Sequence, residues 1–318
     1  MRVTGNTFPN RLNVELQALQ ELLVRDQTRI ASGQDVISPS DDPVAFRRAI
    51  QTMSSQLRVQ EFRGAAVDVR SRYEQYLSAA TSVQTLTSRA SELAIRATGV
   101  LSQGDLDTIA AEIDSLLEEA VTLGNRQFQS QFLFGGTYLQ PSDTDPATGA
   151  AYVPFSVTRS AANEITTVTY RGNTTVSQIG IDETSTIANN ILGSSVTGIP
   201  RGLFINGAVN VFTPLITIRD QLRTGNNEAV LSPGIDNLRL IQDNVAVNIG
   251  IMASTTARLT LMEGTHTERL LLFEDTISDA VDADFAETAV HLQQLQTSFE
   301  AALQAGGRVL ELSLLDFV

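Results

Sequence analysis

The chain has 318 residues, enough for about two domains and too many for a small stapled fold. All 22 basic residues are arginine, there is no cysteine or tryptophan, and the formal net charge is −14. This excludes disulfides, thiolate metal ligands, cysteine nucleophiles, Schiff-base lysines and a P-loop lysine, and it disfavours nucleic acid as a partner, since no arginine cluster exceeds the pair Arg47 and Arg48.

Residues 1–10 contain no apolar signal-peptide core, and no transmembrane-length apolar run is read along the chain. No membrane insertion is therefore expected, and the protein is either cytoplasmic or exported without a cleaved signal. Leu12, Leu16, Leu19, Leu23 and Ile30 follow steps of four and three, with Asp26 interrupting the seam. That spacing predicts an amphipathic helix whose stripe needs a partner. Gly33 suits its left-handed cap, and the loop Ser38-Pro39-Ser40-Asp41-Asp42-Pro43 follows, with Asp42 as N-cap and Pro43 in the first turn of the next helix.

No proline recurs before Pro141, so that second helix can run from about residue 44 to about 101, on the order of 85 Å at 1.5 Å per residue. Its stripe starts at Phe46, Ile50, Met53 and Leu57 and resumes out of phase at Phe62, Ala66, Val69, Tyr73 and Tyr76, a stutter. Leu106, Ile109, Ile113, Leu116, Ala120 and Leu123 predict a third, antiparallel helix, and Phe132-Leu133-Phe134-Gly135-Gly136 a tight strand or hairpin. From about Gln140 to about Gly207, Pro, Gly, Thr, Val and Asn rise and β-branched runs such as Ile165–Tyr170 appear, with Arg171-Gly172-Asn173 as a hairpin turn.

Helix returns near Phe212 to Leu222. Ile235, Leu238, Val245, Ile249, Met252 and Leu259, then Leu270, Phe273 and Ile277, predict another long helix, and a last one carries Phe285, Ala289, Leu292, Leu295, Phe299 and Leu303 towards Leu312, Leu314, Leu315 and Phe317. The expected fold is mainly α with an inserted β module. Long antiparallel coiled-coil helices from both termini form a rod, with a small β-rich domain in the middle. The boundaries are an N-terminal helical segment at 1–139, the β-rich domain at 140–207, and a C-terminal helical segment at 208–318 that pairs with the first. Residues 1–139 hold 13 arginines against 16 carboxylates and residues 228–318 hold 4 against 14, an asymmetry that favours pairing between the two ends.

No constellation reads as catalytic, cofactor-binding or metal-binding. Asp41 and Asp42 sit between prolines before a helix, the place of a loop and cap rather than of a carboxylate dyad. Asp282, Asp284 and Glu287 lack the glycine-centred loop of a calcium site and read as a charged helix start. His266 and His291 have no motif around them and are expected at a surface or interface. Asn173-Thr174-Thr175 has the form of a glycosylation sequon but reads as a hairpin end. Gly64, Gly250 and Gly264 lie inside helical patterns, where each marks a kink or a close helix approach.

Taken in order, Ile30-Ala31-Ser32-Gly33, the Pro39–Pro43 loop, Arg89-Ala90-Ser91-Glu92-Leu93-Ala94, the stretch from Asn125 to Thr137, and the ending Leu312-Ser313-Leu314-Leu315-Asp316-Phe317-Val318 resemble the hook-filament junction proteins, the hook-associated protein 3 family of the flagellin superfamily. The likeness spans roughly residues 10–139 and 210–318. Val318 departs from the family's ending, and flagellins usually carry Asp-Asp-Ala-Ala-Gly where Asp41-Asp42-Pro43 stands. The resemblance implies a secreted structural protein of the bacterial flagellum that is exported through the type III apparatus and is not an enzyme. Its partners would be neighbouring copies of itself, the adjacent hook-associated protein, flagellin, and a cytoplasmic export chaperone that binds the C-terminal helix. The seams read either as core within one chain or as contacts between copies, and for the terminal stripes, which one chain covers least, assembly is the expectation, with Leu12, Leu16, Leu19, Leu23, Ile30, Phe299, Leu303, Leu312, Leu314, Leu315 and Phe317 as interface residues. A flagellin filament subunit and a cytoplasmic coiled-coil scaffold are the alternatives, and an enzyme or glycan-binding protein acting through the β module is a third class.

Overall fold

The first helix, α1, spans Thr7–Ser32 and stops at Gly33, whose φ of 72° suits glycine and whose N–H donates to the Arg29 carbonyl at 2.8 Å. The structure is a computed structural model that describes residues 7–137, 152–195, 201–225 and 228–315, with side chains from residue 10 to 225 and from 232 to 308 within those limits. It divides into a terminal unit, residues 1–60 with 268–318, and an inner unit, residues 61–267. Helices α2, Pro43–Ala97, and α5, Glu228–Val281, each contribute to both units.

In the terminal unit, Asp42 Oδ1 accepts the N–H groups of Val44 and Ala45 at 2.8 and 2.9 Å and so caps α2. Asp284 Oδ1 does the same for Ala286 and Glu287 at the start of α6, Phe285–Leu315. Helices α1 and α6 lie antiparallel. Leu12 faces Gly306, where an added Cβ would come within 2.5 Å of Leu12 Cδ2, and Asp26 faces His291. Further along, Gln34 bridges to Asp282, and Asp35 N–H donates to the Val281 carbonyl at 2.7 Å. Val36, Ala49 and Val281 make a small core there, with Phe46 and Ile277 against it.

The inner unit continues with α3, Gln103–Gly124, opened by a reciprocal capping box between Ser102 and Asp105. That box takes up residue 102, and α2 ends at Ala97 rather than near residue 101. Strands β1, Gln127–Phe128, and β2, Gln131–Phe132, form a hairpin whose Gln129 and Ser130 both have positive φ, the geometry of a type I′ turn. Antiparallel hairpins follow from β3, Phe155–Arg159, with β4, Ile165–Tyr170, and from β5, Gln178–Asp182, with β6, Ser185–Ala188. Next come β7, Leu192–Ser195, parallel to β8, Gly202–Asn206, and β9, Val209–Asn210, antiparallel on the far edge of β8. Helix α4, Phe212–Arg223, leads on to α5.

The strands share a core with the helices: Phe134, Phe155, Phe204 and Phe212 pack with Tyr76, Leu117, Leu215 and Leu238. The Tyr76 and Tyr73 hydroxyls donate to the carbonyls of Leu133 and Ala188, both at 3.0 Å. Burial pushes both phenols up to about 12. Tyrosine in the unfolded chain ionises near pH 10, so between there and the folded value the unfolded state sheds protons that the fold retains. Stability is therefore expected to fall through that window. Denaturation midpoints at pH about 9 and about 11 test this: the drop should shrink in Tyr76→Phe, and an equal drop in that variant would count against it.

Several sequence expectations need correction. Arg171-Gly172-Asn173 is not a hairpin turn, because β4 pairs with β3 around Asn163, at φ 65°, while β5 pairs with β6. Gly172 is instead pressed against the Tyr170 ring, and Asn173 is bonded to Thr137, which leaves its amide engaged within the fold. His266 is fully buried rather than at a surface. It extends the seven-residue series Val245, Met252, Leu259 by one step, and its Nε2 lies 2.8 Å from the Ile181 carbonyl. Gly64, Gly250 and Gly264 have nothing within 4 Å of an added Cβ, so no close helix approach needs them. Arg70 pairs with Glu263 as the charge asymmetry predicts, whereas Arg89 pairs with Glu92 and Glu112 of its own half. Within α5, one stretch does reach membrane-spanning length and hydropathy, at a mean of 1.3 with 22% of it buried. Its apolar residues are split between core positions such as Met252 and exposed ones such as Ile251 and Leu261.

Candidate assembly interface

Two antiparallel helices alone cannot enclose their apolar stripes, and the terminal unit shows the consequence. Leu12, Leu16, Leu19, Leu23 and Ile30 on α1 and Phe299 on α6 are partly buried, and among the described residues of the predicted α6 stripe only Leu295 is buried, while Leu303 remains 50% exposed. The side chains of Leu312, Leu314 and Leu315 and the whole of Phe317 lie outside the described residues. Val14, Val24 and Val290, off the predicted seam, are more than half exposed, as is Phe285. The four-three pattern missed the three valines because it selects one face. Their signal was an apolar residue at positions where a helix covered on one side only carries a polar one.

Asp26, read as an interruption of the seam, is 1% exposed. Its Oδ2 lies 2.5 Å from His291 Nδ1, and Arg29 stands 3.8 Å from Oδ1. Sequence reasoning noted both Asp26 and His291 without joining them, since a contact across 265 residues leaves no local pattern.

Each carboxylate of the Pro39–Pro43 loop is taken up by the backbone. Asp41 Oδ2 accepts from the Ser38 N–H at 2.8 Å, the Ser38 hydroxyl at 3.0 Å and the Ile37 N–H at 3.2 Å, and the Ser38 backbone bond leads in holding its pKa below the usual carboxylate range. Ser40 shares a hydroxyl contact with Ser38 at 2.6 Å. With Asp42 capping α2, neither carboxylate is aimed at a shared proton or ligand.

On the inner unit, a groove of about 700 Å³ runs between α2 and α3 over Leu77, Leu86 and Leu116. Its hydroxyls at Thr81, Ser82 and Thr85 donate to carbonyls of their own helix, and the Ser78 hydroxyl accepts from Arg126 at 3.3 Å. Among the described residues, no group of three or more His, Asp or Glu is placed to hold a metal ion. What these surfaces offer is contact area and charge.

Residues 5–138 match the bacterial flagellin N-terminal helical region. No curated protein matches the chain by sequence. Among solved structures, a flagellar hook-associated protein from Vibrio parahaemolyticus superposes with a TM-score of 0.62 at 16% identity, over 76% of this chain and 100% of that one. FlgL from Bacillus cereus gives 0.55 at 17% identity, over 71% and 98%. The flagellar junction protein FlgL from Legionella pneumophila gives 0.51 at 13% identity, over 74% and 100%. The fold is thus that of these proteins, with long terminal helices and a small central β-rich region, and the resemblance drawn from the sequence is borne out.

Proposed function

We propose that the chain is a structural subunit of the bacterial flagellum, an adaptor between a hook-associated protein and the flagellin filament, and not an enzyme. The observation that carries this reading is the apolar surface left open on α1 and α6 in a fold shared with flagellar junction proteins. Neighbouring copies, the adjacent hook-associated protein and flagellin would cover that surface in the assembled state, burying apolar side chains that one chain leaves wet. Before export through the flagellar apparatus, a cytoplasmic chaperone on the C-terminal helix would shield Phe299 and Leu303, with Leu312, Leu314, Leu315 and Phe317, outside the described side chains, as the further residues proposed for it.

Deleting the gene in a motile host is expected to leave hooks without filaments and flagellin free in the medium. Filaments of normal length on the deletion strain would overturn the reading. The match of residues 5–138 to the flagellin N-terminal region favours one second reading, a filament subunit. Copy number separates the two, since sheared flagella contain a filament subunit in bulk and a junction subunit in trace.

A further inference from the structure

Where α1 stops and α6 starts, an open pocket of about 920 Å³ collects the carboxylates of Asp26, Asp35, Asp282, Asp284 and Glu287 against Arg29 and His291. Part of this charge is already used. Asp35 pairs with Arg29 at 3.0 Å, Asp282 accepts the Ser278 hydroxyl at 2.5 Å, and Asp284 caps α6. Glu287 has no side-chain partner among the described residues. Asp26 Oδ1, on a side chain 1% exposed, receives no hydrogen bond, because Arg29 at 3.8 Å is out of range. That oxygen is enclosed and Asp26 is engaged by His291 and Arg29, so the charge the pocket offers outward is that of Glu287, exposed in the first turn of α6. The carboxylates do not converge closely enough to share a metal ion. Dispersed carboxylates suit a guanidinium fork, which spreads several N–H donors over a plane.

The same unit carries matching donors. Arg47 and Arg48 are adjacent and exposed on α2, with no partner among the described residues. They flank the small core at Ala49 and Phe46, and Val281 of that core precedes Asp282 in the pocket. Acidic pocket and arginine pair therefore stand at one level of the terminal unit.

We propose that Arg47 and Arg48 of one copy dock into the acidic pocket of a neighbouring copy, beside Glu287. The proposal rests on the subunit reading and names a surface for it. Since pair and pocket stand at one level of the terminal unit, the contact would join copies side by side. With the pair given to one neighbour and the pocket to another, the contact is heterologous and repeats from copy to copy, as a ring or helical assembly requires, whereas a reciprocal contact would close as a dimer.

The chain has no cysteine, so engineered thiols report without background. Gln51→Cys lies one turn beyond the arginines and Gln294→Cys lines the pocket, and neither removes a charge. The two full-length single variants, mixed at high concentration and low salt and treated with a short bismaleimide, are expected to give the mixed dimer well above either variant alone. The double variant should give a ladder. Added salt should reduce the yield, and Arg47→Glu with Arg48→Glu should reduce it to background with helical circular dichroism unchanged.

No mixed dimer up to the solubility limit overturns the proposal, as does a yield indifferent to the arginine reversal. The subunit reading fails separately: a ladder from a chain whose deletion leaves filaments intact would establish the contact but place it outside the flagellum.

Discussion

Phe155→Ala is expected to lower the stability of the inner unit by about 4 kcal/mol, the middle of the range for truncating a buried aromatic ring. Phe155 is 1% exposed, and its ring centre lies 5.1 Å from Tyr170, 5.1 Å from Phe204 and 5.2 Å from Phe212. One side chain thereby joins β3, β4, β8 and α4. Relaxation into the resulting void is hindered, since the Phe155 N–H donates to Asn125 Oδ1 and its carbonyl accepts from Asn125 Nδ2, both at 2.8 Å. The ring also rests on Gly124, where an added Cβ would come within 2.7 Å of Cδ2. Urea denaturation followed by circular dichroism measures the effect, and Phe155→Leu should retain more than half of the lost stability. A cost below about 1 kcal/mol for the alanine variant would mean that the core collapses around the gap and that Phe155 is not its keystone.

The helices were legible because their signals are local. The stripe from Leu12 to Ile30, the glycine at 33, the aspartate at 42 and the proline-free stretch after Pro43 each describe a few turns of chain, and α1 and α2 follow them closely. The same held for α4, whose expected start at Phe212 is its observed start. What could not be read is pairing at a distance. Ile165–Tyr170 announced a strand, yet the glycine at 172 drew the turn to the wrong side of it, and the real turn uses Asn163, a residue that tolerates positive φ less obviously than glycine. His266 was misplaced for another reason. Its seven-residue phase with Leu259 was visible, but a polar residue in a stripe reads as a break in it unless its partner, here the Ile181 carbonyl, is known. Asp26 repeats the lesson in the terminal unit, where a supposed flaw in the seam is a buried contact with His291.

Arg219 belongs with these residues, and it carries the second large effect. It lies within the apolar face of α4, next to Ile218 and one turn from Leu222, and its side chain is 1% exposed. The guanidinium reaches Asp114 of α3 at 2.7 Å and Asp220 at 2.7 Å, whose side chains are 26% and 56% exposed. The two sides of the pair are therefore unequal. Arg219→Met removes the buried charge, keeps most of the apolar stem's packing, and leaves two carboxylates that can regain water, so a cost of about 1 kcal/mol is expected. Asp114→Ala strands the guanidinium inside with Asp220 as its remaining partner and should cost about 3 kcal/mol, the low end for breaking a buried pair. Urea denaturation of both variants and of the double variant measures the difference. The double variant should lie closer to Arg219→Met than to the sum of the singles, because losing the arginine removes the reason that Asp114 is needed. Equal costs for the two single variants, or additive ones, would mean that the contact between α3 and α4 is held by its leucines and isoleucines and not by the charge.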